Sequence, residues 1–128
     1  IIEILDSNGR TEAEDNRKVM RPWGWYDSLE NKPGFQVKHI CVNPNSSISL
    51  QRHRQRSEHW IVVKGKGLIT VGEEKFQLSE NESVFIPKET IHRLENKTEM
   101  PVEIIEVQYG NYLGEDDIER FEDIFGRE

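Results

Sequence analysis

The sequence predicts an all-β domain, a sandwich or barrel of many short strands. Nine short β-rich runs follow one another from residue 24 onward, and clusters of Gly, Pro, Asn and Ser separate them. The residues best suited to hold a metal ion agree with this, because Gln51 and His53 lie two apart, the spacing that puts side chains on one face of an extended strand.

The first run, 24–27, leads into the turn Asn31-Lys32-Pro33-Gly34, and 35–42 is bounded by that turn and by Asn43-Pro44-Asn45. Run 48–53 carries Gln51 and His53, and 58–63 ends at Gly65-Lys66-Gly67, where 67–71 begins. Val71-Gly72-Glu73 divides 67–71 from 75–78, and Ser79-Glu80-Asn81 divides 75–78 from 83–86. Runs 92–95 and 102–109 complete the series. Residues 1–20 are polar and weakly periodic and read as a linker or tail, broken at Ser7-Asn8-Gly9, with Thr11-Glu12-Ala13-Glu14 as a capped helical turn. The opening Ile1-Ile2-Glu3-Ile4-Leu5 looks like the end of a helix continuing from upstream. At the other end, Ile118, Phe121, Ile124 and Phe125 recur at three- and four-residue spacings among acids, which predicts a short amphipathic helix within 113–125.

A chain of 128 residues fits one domain with its own core. Cys41 is the single cysteine, which excludes an intrachain disulfide and a cysteine-rich zinc cluster and fits a reducing compartment. The chain has neither a long apolar run nor a basic start followed by an apolar centre, so a soluble cytoplasmic protein, with no membrane partner, is expected. Of the net charge of −7, −5 falls within 114–128, leaving the rest nearly neutral. Arg52, Arg54 and Arg56 make the ligand-bearing stretch locally basic, which suits a small anion better than nucleic acid. Parity sets Arg52 and Arg54 opposite Gln51 and His53, where they could equally decorate an exposed face.

Glu58 and His92 would join Gln51 and His53 from neighbouring strands. Two imidazoles, a carboxylate and an amide oxygen form a mixed nitrogen and oxygen set suited to Zn²⁺, Fe²⁺, Mn²⁺ or Co²⁺. Ordinary core histidines are the plain alternative, and four candidate ligands at matched spacing weigh against it. Trp60 and Val62 share the parity of Glu58 and should line the interior, whereas His59 should face away. Trp23 and Trp25 are expected to cover one end, His39 to be an ordinary strand residue, and Tyr109 to be buried. Glu106 or Gln108, near the end of the last long run, could bring a polar group to the cavity.

The pattern Gln51-x-His53, Glu58 and Gly65, followed by Asn81, Pro87, His92 and Asn96, resembles the two motifs of the cupin superfamily, with Gln51 in place of a histidine. Asn45, Asn81 and Glu89 stand where glycine is usual, and asparagine is the more tolerant of left-handed backbone geometry. Arg21-Pro22-Trp23-Gly24, the run from Leu50 through Arg56-Ser57-Glu58-His59-Trp60 to Val63, Ile86-Pro87, Ile91-His92-Arg93-Leu94-Glu95-Asn96 and Tyr112-Leu113-Gly114-Glu115-Asp116-Asp117-Ile118 narrow the resemblance. Over roughly 16–127 the chain is similar to the type II mannose-6-phosphate isomerase domain, usually the C-terminal part of a bifunctional mannose-1-phosphate guanylyltransferase/mannose-6-phosphate isomerase. The family commonly has histidines at the places of Arg54 and Gln55, so no role of those histidines transfers.

This resemblance implies a cupin double-stranded β-helix, or jelly-roll barrel, over 21–128 with short terminal helices, and a 1–20 connector from a missing N-terminal domain. It implies a metal-dependent isomerase interconverting mannose 6-phosphate and fructose 6-phosphate. Gln51, His53, Glu58 and His92 would hold the ion, with Zn²⁺ the first choice and Co²⁺, Mn²⁺ or Fe²⁺ the alternatives, to stabilise charge while a proton moves between C1 and C2. The phosphate needs cations, and Arg56, Arg93, Lys38 and Arg21 are the candidates, with Arg56 and Lys38 assigned to catalysis and Arg21 and Arg93 to substrate binding. The base stays open. Expected partners are the sugar phosphate, a second copy in a homodimer and the guanylyltransferase domain. Another cupin enzyme, or a sugar-binding module without turnover, is the alternative.

Overall fold

The computed structural model describes residues 18–122. Twelve strands occur among them: β1 (Val19–Arg21), β2 (Gly24–Lys32), β3 (Phe35–Val42), β4 (Ser46–Ser47), β5 (Leu50–Arg52), β6 (Arg56–Lys64), β7 (Gly67–Val71), β8 (Glu74–Leu78), β9 (Ser83–Ile86), β10 (His92–Asn96), β11 (Val102–Gly110) and β12 (Glu119–Glu122). One sheet runs β1-β2-β3-β11-β6-β9 and the other β12-β5-β10-β7-β8, with β4 pairing β10. Antiparallel pairing throughout, with neighbours far apart in sequence, gives a jelly-roll barrel.

Alternation decides what the barrel holds. On β6 the inward residues are Arg56, Glu58, Trp60 and Val62; on β11 they are Val102, Ile104, Glu106 and Gln108. On β3, Gln36, Lys38 and Ile40 point the same way. Register stacks like with like: Ile104 lies opposite Ile40 and Val62, while Glu106 lies opposite Lys38 and Trp60. One end of the interior is therefore apolar, closed by Val42, Val62, Ile69, Leu94, Val102 and Ile104. The other end is polar, and its charged side chains are as buried as the apolar ones.

No helix occurs among the described residues. The helix expected within 113–125 is corrected by β12, which pairs with β5 at Glu119–Arg52 and Arg120–Gln51. Glu119 accepts from Arg52 at 2.7 Å and from Arg54 at 3.0 Å, and Arg52 covers the ring of Phe121. These tertiary contacts override a weak helical periodicity. The expected helical features at the N-terminus lie outside the described residues, and β1 begins at Val19, inside the segment expected as a connector. No helix among the described residues is long and apolar enough to cross a membrane.

Asn45, Asn81 and Glu89 are the non-glycine residues with positive φ among those described, at 55°, 72° and 64°. They are the three places where the two motifs would carry glycine. Glu89 holds its strained geometry because its N–H donates to the His53 carbonyl at 2.7 Å. Relief of left-handed strain, less the extra flexibility of glycine in the unfolded chain, should make Glu89→Gly more stable by about 1 kcal/mol. Urea unfolding of the two proteins checks this, and a destabilised variant would refute it.

Candidate metal centre

The polar end of the barrel encloses a cavity of about 110 Å³. Each ligand candidate reaches it for a local reason. Glu58 points inward by the alternation of β6, His92 opens β10, and Gln51 lies directly across from His92 on β5. His53 follows β5 immediately and is 4 % exposed. One ligand atom from each of His53, Glu58 and His92 lies within 4.8 Å of the others. Glu58 bridges the imidazoles: Oε2 is 3.3 Å from His53 Nε2, and Oε1 is 3.6 Å from His92 Nε2.

Both imidazoles are prepared in the same way. His53 Nδ1 is 2.7 Å from the Asp117 carbonyl and His92 Nδ1 is 2.8 Å from the Thr90 carbonyl. A carbonyl only accepts, so each Nδ1 carries the proton and each Nε2 keeps its lone pair toward the cavity. Burial, followed by the Arg56 guanidinium, pushes His53 down to about 4, and burial lowers His92 as well. At neutral pH both are uncharged, the form that binds metal. His92 Nε2 is buried without a hydrogen-bond partner among the described residues. An orphaned acceptor of this kind costs about 1–3 kcal/mol unless something satisfies it. Lone pairs on two neutral imidazoles beside a carboxylate therefore fit a divalent ion of borderline softness. The Gln51 side chain lines the same cavity, with Nε2 3.3 Å from the Ser49 carbonyl.

Arg56 is buried, donating from Nε to Glu58 Oε2 at 2.9 Å and from Nη2 to His53 Nε2 at 3.2 Å. Lys38, also buried, reaches Glu115 at 2.5 Å and lies over the Tyr26 ring. Although burial alone would raise the Glu115 carboxyl, the bond from Lys38 holds it below its ordinary value. Arg21 is exposed, shares the Tyr26 ring at 5.5 Å and lines the cavity. Arg93 does not reach it, because its neighbour His92 points inward and alternation turns Arg93 to the outer surface near Glu95.

Two charged residues of the cavity were not anticipated from the sequence. Arg120 arrives through β12, and Glu115 comes from the loop before it. Glu106 and Gln108, left open as polar candidates, both line the cavity. Burial, then the adjacent Glu58 charge, pushes the Glu106 carboxyl up to about 7. The remaining expectations divide. Trp60 and Val62 are interior, and His59 faces outward against Phe85. Trp23 borders the cavity, whereas Trp25 packs edge-on against His39, which also bonds Glu103 at 2.7 Å. Tyr109 corrects the expectation of burial, being 68 % exposed on the outer face of β11.

Comparison with known proteins agrees with this geometry. The family described as "Mannose-6-phosphate isomerase C-terminal" matches residues 8–123. The alginate biosynthesis protein AlgA of Pseudomonas putida is 55 % identical over 127 residues, covering 99 % of this chain and 26 % of that protein. The xanthan biosynthesis protein XanB of Xanthomonas campestris is 54 % identical over 99 % of this chain and 27 % of its own length. The mannose-1-phosphate guanylyltransferase ManC of Salmonella typhimurium is 46 % identical over 99 % of this chain and 26 % of its own length. The chain thus spans about a quarter of the length of these relatives. Among solved structures, a cupin-like protein from Thermotoga maritima superposes with a TM-score of 0.68 at 20 % identity, covering 78 % of this chain and 77 % of that one. The capsular polysaccharide assembling protein CapF of Staphylococcus aureus gives 0.70 at 21 % identity, over 84 % of this chain and 32 % of that one. The first of these likenesses supports a cupin fold.

Proposed function

Since the chain belongs to the mannose-6-phosphate isomerase C-terminal family, we propose that it is a metal-dependent isomerase domain interconverting mannose 6-phosphate and fructose 6-phosphate. It would be the C-terminal part of a bifunctional protein whose other part is a mannose-1-phosphate guanylyltransferase, supplying GDP-mannose for polysaccharide synthesis in the cytoplasm. The observation that carries this is the convergence of His53, Glu58 and His92 in a buried cavity that is also lined by cations.

Gln51, His53, Glu58 and His92 would hold the ion, which when bound supplies Lewis-acid stabilisation of charge on the sugar oxygens. The chain provides the rest. Arg21, Lys38, Arg56 and Arg120 line the cavity and complement a phosphate dianion. Trp23, Ile40 and Ile48 form its apolar lining and exclude water from the sugar, which strengthens each charge interaction there. Lys38 and Glu115 would hold the substrate in register, because their ion pair joins the barrel wall to the loop at the mouth. Arg93 has no part in this arrangement. Pairing of two copies through strand edges belongs to the same reading.

Turnover of mannose 6-phosphate, coupled to detection of fructose 6-phosphate, tests the proposal on chelated protein with and without Zn²⁺ or Co²⁺. Metal-dependent turnover is expected. Absence of turnover with any metal, in this chain and in a full-length relative-like protein alike, would leave a binding module as the better account.

A further inference from the structure

Trp60 does more than fill the core. A buried indole needs one acceptor for its N–H, yet Nε1 stands 3.0 Å from Glu58 Oε1 and 3.1 Å from Glu106 Oε2. Glu106 accepts through its other oxygen from Gln108 Nε2 at 2.7 Å. All four side chains are buried, Gln108 and Trp60 almost completely. Register explains the arrangement, since Glu106 pairs with Trp60 and Gln108 with Glu58 across β11 and β6. Two carboxyl groups sharing one donor in a buried interior are costly compared with an apolar filling, so the arrangement calls for a use.

Glu58 shows what that use is. Each of its oxygens faces one imidazole and one donor: Oε1 has His92 and the Trp60 N–H, and Oε2 has His53 and the Arg56 Nε–H. The indole ring also stands edge-on to the His92 ring at 5.5 Å. Resting on the reading of His53, Glu58 and His92 as ligands, we infer that Trp60 is a positioning residue of the metal centre. Its N–H sets the plane of the Glu58 carboxylate, its ring supports His92, and the Gln108–Glu106 pair fixes the indole. Outer contacts of this kind typically change metal affinity by about 10–100-fold.

The test is Co²⁺ affinity, measured by competition with a chromophoric chelator, together with the visible spectrum of bound Co²⁺. Trp60→Phe keeps an aromatic ring and removes the N–H. It should bind Co²⁺ about 10–100-fold more weakly with shifted bands. Val62→Ala, on the same strand and fully buried, should lose stability without changing either readout. Trp60→Phe binding within twofold of the unsubstituted chain, with an unchanged spectrum, overturns the inference. If Trp60→Phe does not fold, Gln108→Leu leaves indole and ligands in place and should weaken binding severalfold; unchanged binding there overturns it equally. Failure of the unsubstituted chain to bind Co²⁺ would instead remove the metal reading itself, and this inference with it.

Discussion

On the proposed function, His53→Ala is expected to lose divalent-metal binding and with it the proposed isomerase turnover, by about 10³-fold or more, since Lewis-acid stabilisation is worth several kcal/mol at about 1.4 kcal/mol per tenfold. The remaining donors would be Glu58, His92 and the weak amide of Gln51. The substitution also strips the Asp117 carbonyl of a donor and the Arg56 Nη2 of an acceptor, so about 1–3 kcal/mol of stability should go too. Circular dichroism and urea unfolding separate the two effects. A folded His53→Ala protein that still bound Co²⁺ with unaltered affinity would take His53 out of the ligand set.

Gly24→Ala should be the most damaging small substitution in the fold. Gly24 has φ +152°, and a Cβ there would stand 1.9 Å from the Cys41 carbonyl oxygen and 2.9 Å from its carbon. Both atoms are backbone, so no rotamer change relieves the overlap. The β2–β3 ladder, in which Gly24 faces Val42 and Trp25 faces Cys41, must part locally. A loss of about 4 kcal/mol or more is expected, a large share of the 5–15 kcal/mol that holds an ordinary domain together. The damage would spread to the cavity, because Trp23 lines it and its carbonyl accepts from Asn43 N–H at 2.8 Å. A change below 1 kcal/mol in urea unfolding would show that the strands separate at almost no cost.

How much was legible in the sequence depended on whether a residue's position was fixed by neighbours along the chain or across it. The strands at 35–42, 67–71 and 83–86 were read with their observed bounds, because turn residues flank them. β1 and β4 were missed, being three and two residues long, too short for alternation to register. β12 was misread because Ile118 and Phe121 mimic a helix, while the deciding partners, Arg52 and Arg54, lie more than sixty residues upstream. The candidate ligands His53, Glu58 and His92, which the structure gathers in one cavity, were legible because two short motifs carry them. The inward parity that rightly turned His59 away from the cavity would have turned Arg93 away too, had it been applied beside His92. Arg120 and Glu115 could not be anticipated, since only the pairing of β12 with β5 brings that segment to the cavity.

Asp117 holds the whole end of β5. Its carbonyl accepts from His53, and its carboxylate accepts from the backbone N–H groups of Arg54 and Gln55 at 3.0 and 2.9 Å. During synthesis this has a temporal meaning. A growing polypeptide contains every candidate ligand once His92 has been added, but Asp117 follows only after roughly one to five seconds at about 5–20 residues per second. Through that interval the tautomer and aim of His53 are not yet set. Ion capture by the finished geometry would thereby wait for the segment that carries Asp117 rather than for the first appearance of the candidate ligands.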